Sequence, residues 1–333
     1  MHTPEVESIG VCPACGGRGR KRVLGAARAP ISVVRCTACR HVYATGRYVH
    51  DFLDESYYAE RAAARAPELE APAGDGERFM RARKRRQLAL YDELASGTVA
   101  SVPPGGHALD IGCNVGVLLD ELATLGWQTE GIERAPAARD LAARRHVVHD
   151  VDIERDDAVL PRRYELVTMT HVLEHLDRPV QGLKFVARHL APGGTAIIEV
   201  PNWDDPARVF WRTRYRPLEL GDHVSFFERG TLGALAERAG LRVHRWWSSP
   251  QGATMVLPSV LTATDLVAQL VRWRGTPGVA AARLPTQSLP GSTRRRVLEL
   301  LDRMDPWIAS LAGDDPHWGA NLVAVLRRPH ASG

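Results

Sequence analysis

Residues 107–116 read His107-Ala-Leu-Asp-Ile-Gly-Cys-Asn-Val-Gly116, an apolar strand that runs directly into a glycine-bearing turn. Ala108, Leu109 and Ile111 supply the strand, and Asp110 interrupts it near its carboxyl end. From Val117 to Leu125 the apolar residues recur at helical spacing. A strand–turn–helix unit of this kind brings backbone N–H groups and a helix N-terminus up to a bound ligand. Seventeen residues beyond Gly116 a second apolar segment ends in an acid, Gly131-Ile-Glu133. That is where a doubly wound sheet places the carboxylate that accepts ribose hydroxyls. The pattern predicts a nucleoside-containing cofactor. The glycines are spaced Gly-x-x-x-Gly, without the Gly-x-Gly-x-x-Gly run of nicotinamide sites, which disfavours a dinucleotide.

Outward from this unit the strand–helix alternation repeats. Further strands are predicted at 128–132, 146–148, 165–169, 195–200, 241–246 and 321–326, and helices at 78–94, 135–145, 179–190 and 230–239. Alternation of this kind predicts an α/β fold: a doubly wound, mostly parallel seven-stranded sheet, Rossmann-like, with helices on both faces. Residues 251–315 break the rhythm and read as inserted helices before the last strand. The expected division is a metal ribbon over 1–50, a connector, mobile linker and leading helix over 51–100, a cofactor-binding core over 101–250, and inserted helices with the final strand over 251–333.

Four of the five cysteines lie near the N-terminus as Cys12-x-x-Cys15 and Cys36-x-x-Cys39, with twenty residues between the pairs. Small residues follow the first pair (Cys15-Gly-Gly), and Ile31-Ser-Val-Val34 reads as a strand delivering the second. This spacing predicts a closed, structural Zn2+ site made of four thiolates. Cys113, inside the glycine turn, reads as a packing residue. The 333 residues carry a net charge of +4 with 44% hydrophobic and 25% charged residues, ordinary for a globular protein and only mildly basic. The N-terminal MHTPEVESIGVCPACGG lacks a charged-then-apolar leader pattern, and no apolar run approaches a membrane span. A soluble, cytoplasmic protein is expected. The run Arg78-Phe-Met-Arg-Ala-Arg-Lys-Arg-Arg86 reads as a solvated helix face in preference to a phosphate contact.

From residue 78 to about 250 the chain resembles class I S-adenosylmethionine-dependent methyltransferases. With the ribbon it is similar to the zinc-binding sugar C-methyltransferase, or type 23, group. The resemblance rests on Leu109-Asp-Ile-Gly-Cys-Asn-Val-Gly116, Gly131-Ile-Glu133, Val172-Leu-Glu-His-Leu176, Pro192-Gly-Gly194, Pro201-Asn202 and Asp222-His-Val-Ser-Phe-Phe227. It implies S-adenosyl-L-methionine as cofactor, held by Asp110 at its ammonium, by Gly112, Asn114 and Gly116 along the turn, and by Glu133 at the ribose. Asp150 is placed to meet the adenine amino group and Val151 its face. Asn114 stands where the family usually has glycine; it tolerates positive φ, so the turn is expected to survive. For a proton-removing base the resemblance points to His223 with Asp222, although Asp replaces the usual Glu. His175 is a second candidate on the carboxyl edge of the sheet. The expected reaction is methyl transfer to carbon or oxygen of a small-molecule acceptor, a sugar nucleotide or natural-product intermediate. Asn202, Trp203 and Phe210–Tyr215 lie where acceptor pockets form in this family, with packing of Trp211 against the sheet as the alternative, and Tyr57-Tyr58 either line that pocket or staple the ribbon to the main domain. The competing readings are an RNA or DNA methyltransferase that uses the ribbon and the basic helix, and a non-catalytic zinc-ribbon binding protein. Strand 165–169 runs into Thr170-His171 and lacks the Asn/Asp-Pro-Pro-aromatic motif of exocyclic-amine enzymes, so nucleic acid is disfavoured.

Overall fold

A computed structural model describes residues 6–28, 31–48, 75–205, 208, 218, 221–249 and 319–329. The sequence readings for Tyr57-Tyr58, for most of the 61–77 linker, for Phe210–Tyr215 and for the 251–315 insertion lie outside the described residues.

Five strands form the N-terminal part: β1 (Val6–Ser8), β2 (Arg20–Arg28), β3 (Ile31–Cys36), β4 (Val42–Ala44) and β5 (Gly46–Tyr48). Helix α1 (Asp75–Leu94) leads into β6 (His107–Ile111), α2 (Val117–Thr124), β7 (Gln128–Ile132), α3 (Pro136–Ala143), β8 (Val147–His149) and β9 (Tyr164–Thr170). A 3-10 turn at Leu173–His175 is followed by α4 (Pro179–His189), β10 (Leu190–Pro201), β11 (Ser225–Phe226), α5 (Arg229–Arg238), β12 (Arg242–Ser249) and β13 (Asn321–Arg327).

The main sheet has seven strands in the order β12-β13-β10-β9-β6-β7-β8. β8, β7, β6, β9 and β10 are parallel, and β13 runs antiparallel to both β10 and β12. Chain order reverses between β6 and β9, so the ligand crevice of such a sheet lies at the carboxyl ends of those two strands. The strands are continuous apolar runs because both faces are covered. On one face Leu109, Val167, Ile198 and Ala324 pack with Leu183, Phe185 and Val186 of α4 and Leu232 and Leu235 of α5. On the other, Ala108, Leu166, Ile197, Val323 and Val325 meet Leu88, Tyr91 and Leu94 of α1 and Leu118 and Leu122 of α2.

Small boundary differences have local causes. The third core strand begins at Val147, one residue late, because the His146 N–H still donates to the Ala142 carbonyl (3.1 Å) at the end of the preceding helix. Ala191-Pro-Gly-Gly194 is a register break inside β10, between Leu190 and Thr195, where a separate turn was expected. The basic run is partly neutralised within the fold. Arg81 pairs with Asp120 and Glu121, and Arg85 with Glu121, fastening α1 to α2. Among the described residues no helix is long and apolar enough to cross a membrane.

The ribbon does not stand apart. β2, β3 and β4 form an antiparallel sheet that β11 extends, in the order β11-β4-β3-β2. β11 is two residues long and carries no periodicity that would reveal it in the sequence.

Candidate active site

The turn after β6 takes the conformation its composition predicts. Gly112, Asn114 and Gly116 have φ of 76°, 52° and 85°, in the left-handed region where glycine is free and asparagine is the best-tolerated alternative. Gly112 also approaches the next loop so closely that a Cβ there would lie 2.3 Å from Val172 Cγ2. Asn114 steadies itself by accepting the Val115 N–H at 2.8 Å. Asn114→Ala should therefore cost about 1–2 kcal/mol, and Asn114→Gly should stay within about 1 kcal/mol of the parent. Urea unfolding distinguishes them; equal losses would refute the strain account.

Glu133, just past β7, faces the turn. Its Oε2 accepts the Asn114 N–H at 2.9 Å and its Oε1 the Ala135 N–H at 2.8 Å. Burial raises its pKa in spite of these donors. Each oxygen keeps lone-pair capacity for a further donor. Asp110 is buried and accepts from Thr168 Oγ1 of β9 at 2.7 Å. Burial pushes its carboxyl up to about 6, against the opposing charge of Lys84 on α1. A bound ammonium group would add to the opposing charge of Lys84 and favour the ionised carboxyl. Asp150 is exposed and pairs with Arg139 at 3.0 Å, while Val151 packs partly buried against the main core. Cys113 is buried against Gly131, where a Cβ would lie 2.6 Å from its sulfur, and burial raises its thiol pKa.

Beyond β9 the structure brings His175 and His223 together. They are 48 residues apart in the chain, yet their ring centroids lie 4.7 Å apart with the planes at 77°. His175 Nδ1 donates to the Asp222 carbonyl at 3.1 Å, so its partner in that loop is the backbone of Asp222. The Val224 N–H donates to the Glu174 carbonyl at 2.9 Å, tying the 3-10 turn to the His223 loop. Under the two rings sits Glu174, fully buried. Its Oε1 accepts from His171 Nδ1 at 3.1 Å, and its Oε2 has no hydrogen-bond partner among the described residues. Burial alone would raise the Glu174 pKa; the His171 hydrogen bond and the fields of His171, His175 and His223 outweigh it and hold the carboxyl at about 2. Glu174, His175 and His223 present ligating atoms within 4.8 Å of one another. The sequence pointed to both histidines but not to their contact, and it gave Glu174 no role of its own.

A further buried network floors the crevice. Glu199, near the end of β10, accepts from Tyr91 Oη at 2.5 Å, Gln87 Nε2 at 3.0 Å and Asn321 Nδ2 at 2.6 Å. His171, at φ 55°, lies beside it, with Nε2 3.7 Å from Glu199 Oε1. No sequence signal marks this network, because its members come from α1, β10 and β13.

Cys12 and Cys39 approach to 3.6 Å between sulfurs, as do Cys15 and Cys36, and all four are free thiols within 4.8 Å of one another. Tetrahedral coordination at about 2.3 Å gives sulfur–sulfur edges of about 3.8 Å, so this donor set fits zinc, and the separations are far too long for disulfides.

Parallel strands with order reversal at β6/β9, an antiparallel penultimate strand, a glycine turn and an acid after β7 together define the class I methyltransferase fold. A methyltransferase domain model matches residues 77–245, and the chain belongs to that family. It is 28% identical over 153 residues to a ubiquinone biosynthesis O-methyltransferase of Nitrosospira multiformis, covering 42% of this chain and 64% of that protein. A protein of the same description from Aeromonas salmonicida is 27% identical over 152 residues, with the same coverage. The chain thus matches less than two thirds of the length of these curated relatives. Among solved structures, a SAM-dependent methyltransferase from Archaeoglobus fulgidus aligns at 15% identity and TM-score 0.45, covering 76% of this chain and 94% of that one.

Proposed function

We propose that the protein transfers the methyl group of S-adenosyl-L-methionine to an oxygen or acidic carbon of a small-molecule acceptor, a sugar or natural-product intermediate, with His223 as the base. The observation that carries this reading is the His175–His223 pair over the buried Glu174 carboxylate, beside the crevice of the methyltransferase sheet. Bound there, the cofactor supplies an electrophilic methyl on a sulfonium whose leaving group is already good. The protein's remaining task is to align the acceptor and remove its proton. Asp110 would hold the ammonium, Gly112 and Gly116 the backbone approach, Glu133 the ribose, and Asp150 with Val151 the adenine. His223 would take the acceptor's proton at an unprotonated ring nitrogen, and His175, anchored on the Asp222 carbonyl, would orient it. Glu174 stabilises the imidazolium so formed. The four thiolates of Cys12, Cys15, Cys36 and Cys39 would hold a structural zinc ion.

The capture of Arg81 and Arg85 by Asp120 and Glu121 supports a small acceptor over nucleic acid, since those charges are already compensated inside the fold. The ubiquinone relatives favour a hydroxyl as the methylated group. A panel of phenolic, sugar-nucleotide and RNA acceptors, assayed with labelled methyl donor, tests the proposal. Label is expected in a phenol or sugar nucleotide. Label in RNA alone, or no calorimetric binding of S-adenosylmethionine, would overturn it.

A further inference from the structure

The segment that carries His223 is held on one side by the 3-10 turn and the end of β10 and on the other by the four-cysteine module. The Tyr48 N–H donates to the Gly221 carbonyl at 2.9 Å, and the Ala44 N–H to the Val224 carbonyl at 2.9 Å. Between these anchors lie Asp222 and His223. Ser225 and Phe226 then pair with Tyr43 and Val42 as the edge of the ribbon sheet. His41 Nε2 meets Ser225 Oγ at 3.0 Å, both groups buried, and the His41 ring lies 5.3 Å from that of Phe227. Arg35 closes the far end with a two-toothed pair to Glu228, one arm at 2.8 Å. Gly221 has φ 107°, and a Cβ there would lie 2.0 Å from the Tyr48 ring, so the loop starts in contact with the module as well.

These fasteners lead straight back to the thiols. His41 stands two residues past Cys39, and its carbonyl accepts the Cys36 N–H at 2.8 Å, closing the second knuckle. Cys12 and Cys36 share one apolar cluster with Phe227 and Leu232, and Arg238 of α5 donates to the Ala14 carbonyl at 2.6 Å inside the first knuckle. Asp110 and Glu133 make their hydrogen bonds instead to β9 and to the turns after β6 and β7. The polar fasteners of the two halves thus differ, while the module and the sheet share one apolar cluster.

We propose that metal loading of the Cys12–Cys15–Cys36–Cys39 site positions the base, and that His41 and Arg35 are the positioning residues through which it does so. A zinc ion fixes the Cys36–Cys39 turn, the turn fixes His41 and β4, and these hold Ser225 two residues from His223. Zinc status then gates the acceptor half of the site and leaves the cofactor half intact. This inference rests on the proposed role of His223, and its test separates the two.

The test uses the full chain with histidine-selective 15N labelling, the His223 signal being assigned by its loss in His223→Ala. Zinc is withdrawn by chelator and restored by zinc chloride, and S-adenosylmethionine affinity is measured by calorimetry in each state. Withdrawal is expected to shift or broaden the His223 and His175 signals while the affinity changes less than about twofold, and zinc restores them. With zinc bound, His41→Ala and Arg35→Ala should displace the same signals, and His41→Gln, which keeps a hydrogen-bonding group for Ser225, should largely return them. Unmoved His223 signals on withdrawal, or in both alanine variants, would overturn the inference. So would cofactor affinity falling in parallel with the signals, because the module would then support the whole fold and not the loop. Failure of the zinc-loaded parent to bind S-adenosylmethionine at all would count against the proposed function, a distinct result.

Discussion

Alanine in place of His223 is expected to lower methyl transfer by a factor of about 10²–10⁴, the usual contribution of a positioned general base, with S-adenosylmethionine affinity close to the parent's. The separation follows from the layout. His223 belongs to the loop held by β4 and the 3-10 turn, while the cofactor residues belong to β6 and β7. His175→Ala should have a smaller effect, because that ring is anchored on the Asp222 carbonyl and its part is to orient its neighbour. Glu174→Gln supplies the sign for pH. Removing the buried negative charge disfavours imidazolium, so the base's pKa should fall and the acid limb of the rate profile should move to lower pH. Metal analysis separates base catalysis from a cation held by Glu174, His175 and His223, because His223→Ala should then keep the parent's metal content. Activity of His223→Ala equal to the parent's would remove the histidine as base.

The second large effect concerns the cofactor half. Glu133→Ala should weaken S-adenosylmethionine binding at least tenfold, since the loss of even one charge-assisted bond to a ribose hydroxyl removes roughly 1.5–3 kcal/mol. The same substitution frees the Asn114 and Ala135 N–H groups, so part of the loss comes from a loosened turn. Glu133→Gln separates the contributions: it keeps the shape and an acceptor for one of the two N–H groups and removes the charge.

Asp110 also predicts a pH dependence. Its carboxyl is held up at about 6 by burial, and a bound ammonium favours the ionised form. The carboxyl pKa in the complex is therefore lower than in the free protein. Between the two values binding releases a proton, and affinity falls as pH drops through about 6. Calorimetry at pH 6 in buffers of different ionisation enthalpy reads the released proton directly. Proton uptake, or an affinity flat from pH 5 to 7.5, would exclude Asp110 as the ammonium partner.

The parts of this site that could be read from the chain are the contiguous ones. The strand, glycine turn, helix and trailing acid of 107–133 form one supersecondary unit whose geometry depends on φ at three positions and on apolar spacing, both written locally. Asp110 and Glu133 follow from that unit, because their places relative to the strand ends are set within a few residues. The paired cysteines are equally local, and the sulfurs do converge. Asp150 was placed by the same kind of counting, but it pairs with Arg139, one helical element away, in a contact that strand counting does not register.

What lay beyond local reading is the acceptor half. His175 and His223 were each visible in a motif, but nothing in their spacing says that their rings touch. That contact depends on Ser225-Phe226 joining the ribbon sheet, a pairing across more than 180 residues between segments too short to show any period. Glu174 is an ordinary surface residue by type. It becomes a buried charge because the 3-10 turn, the His223 loop and α4 close over it, and in that low-dielectric space the surrounding histidines outweigh the cost of its burial. The fold and the cofactor carboxylates thus follow from short-range pattern. The proposed base and its counter-charge come from long-range packing, in which the four-cysteine module and the methyltransferase sheet share a core and a strand edge.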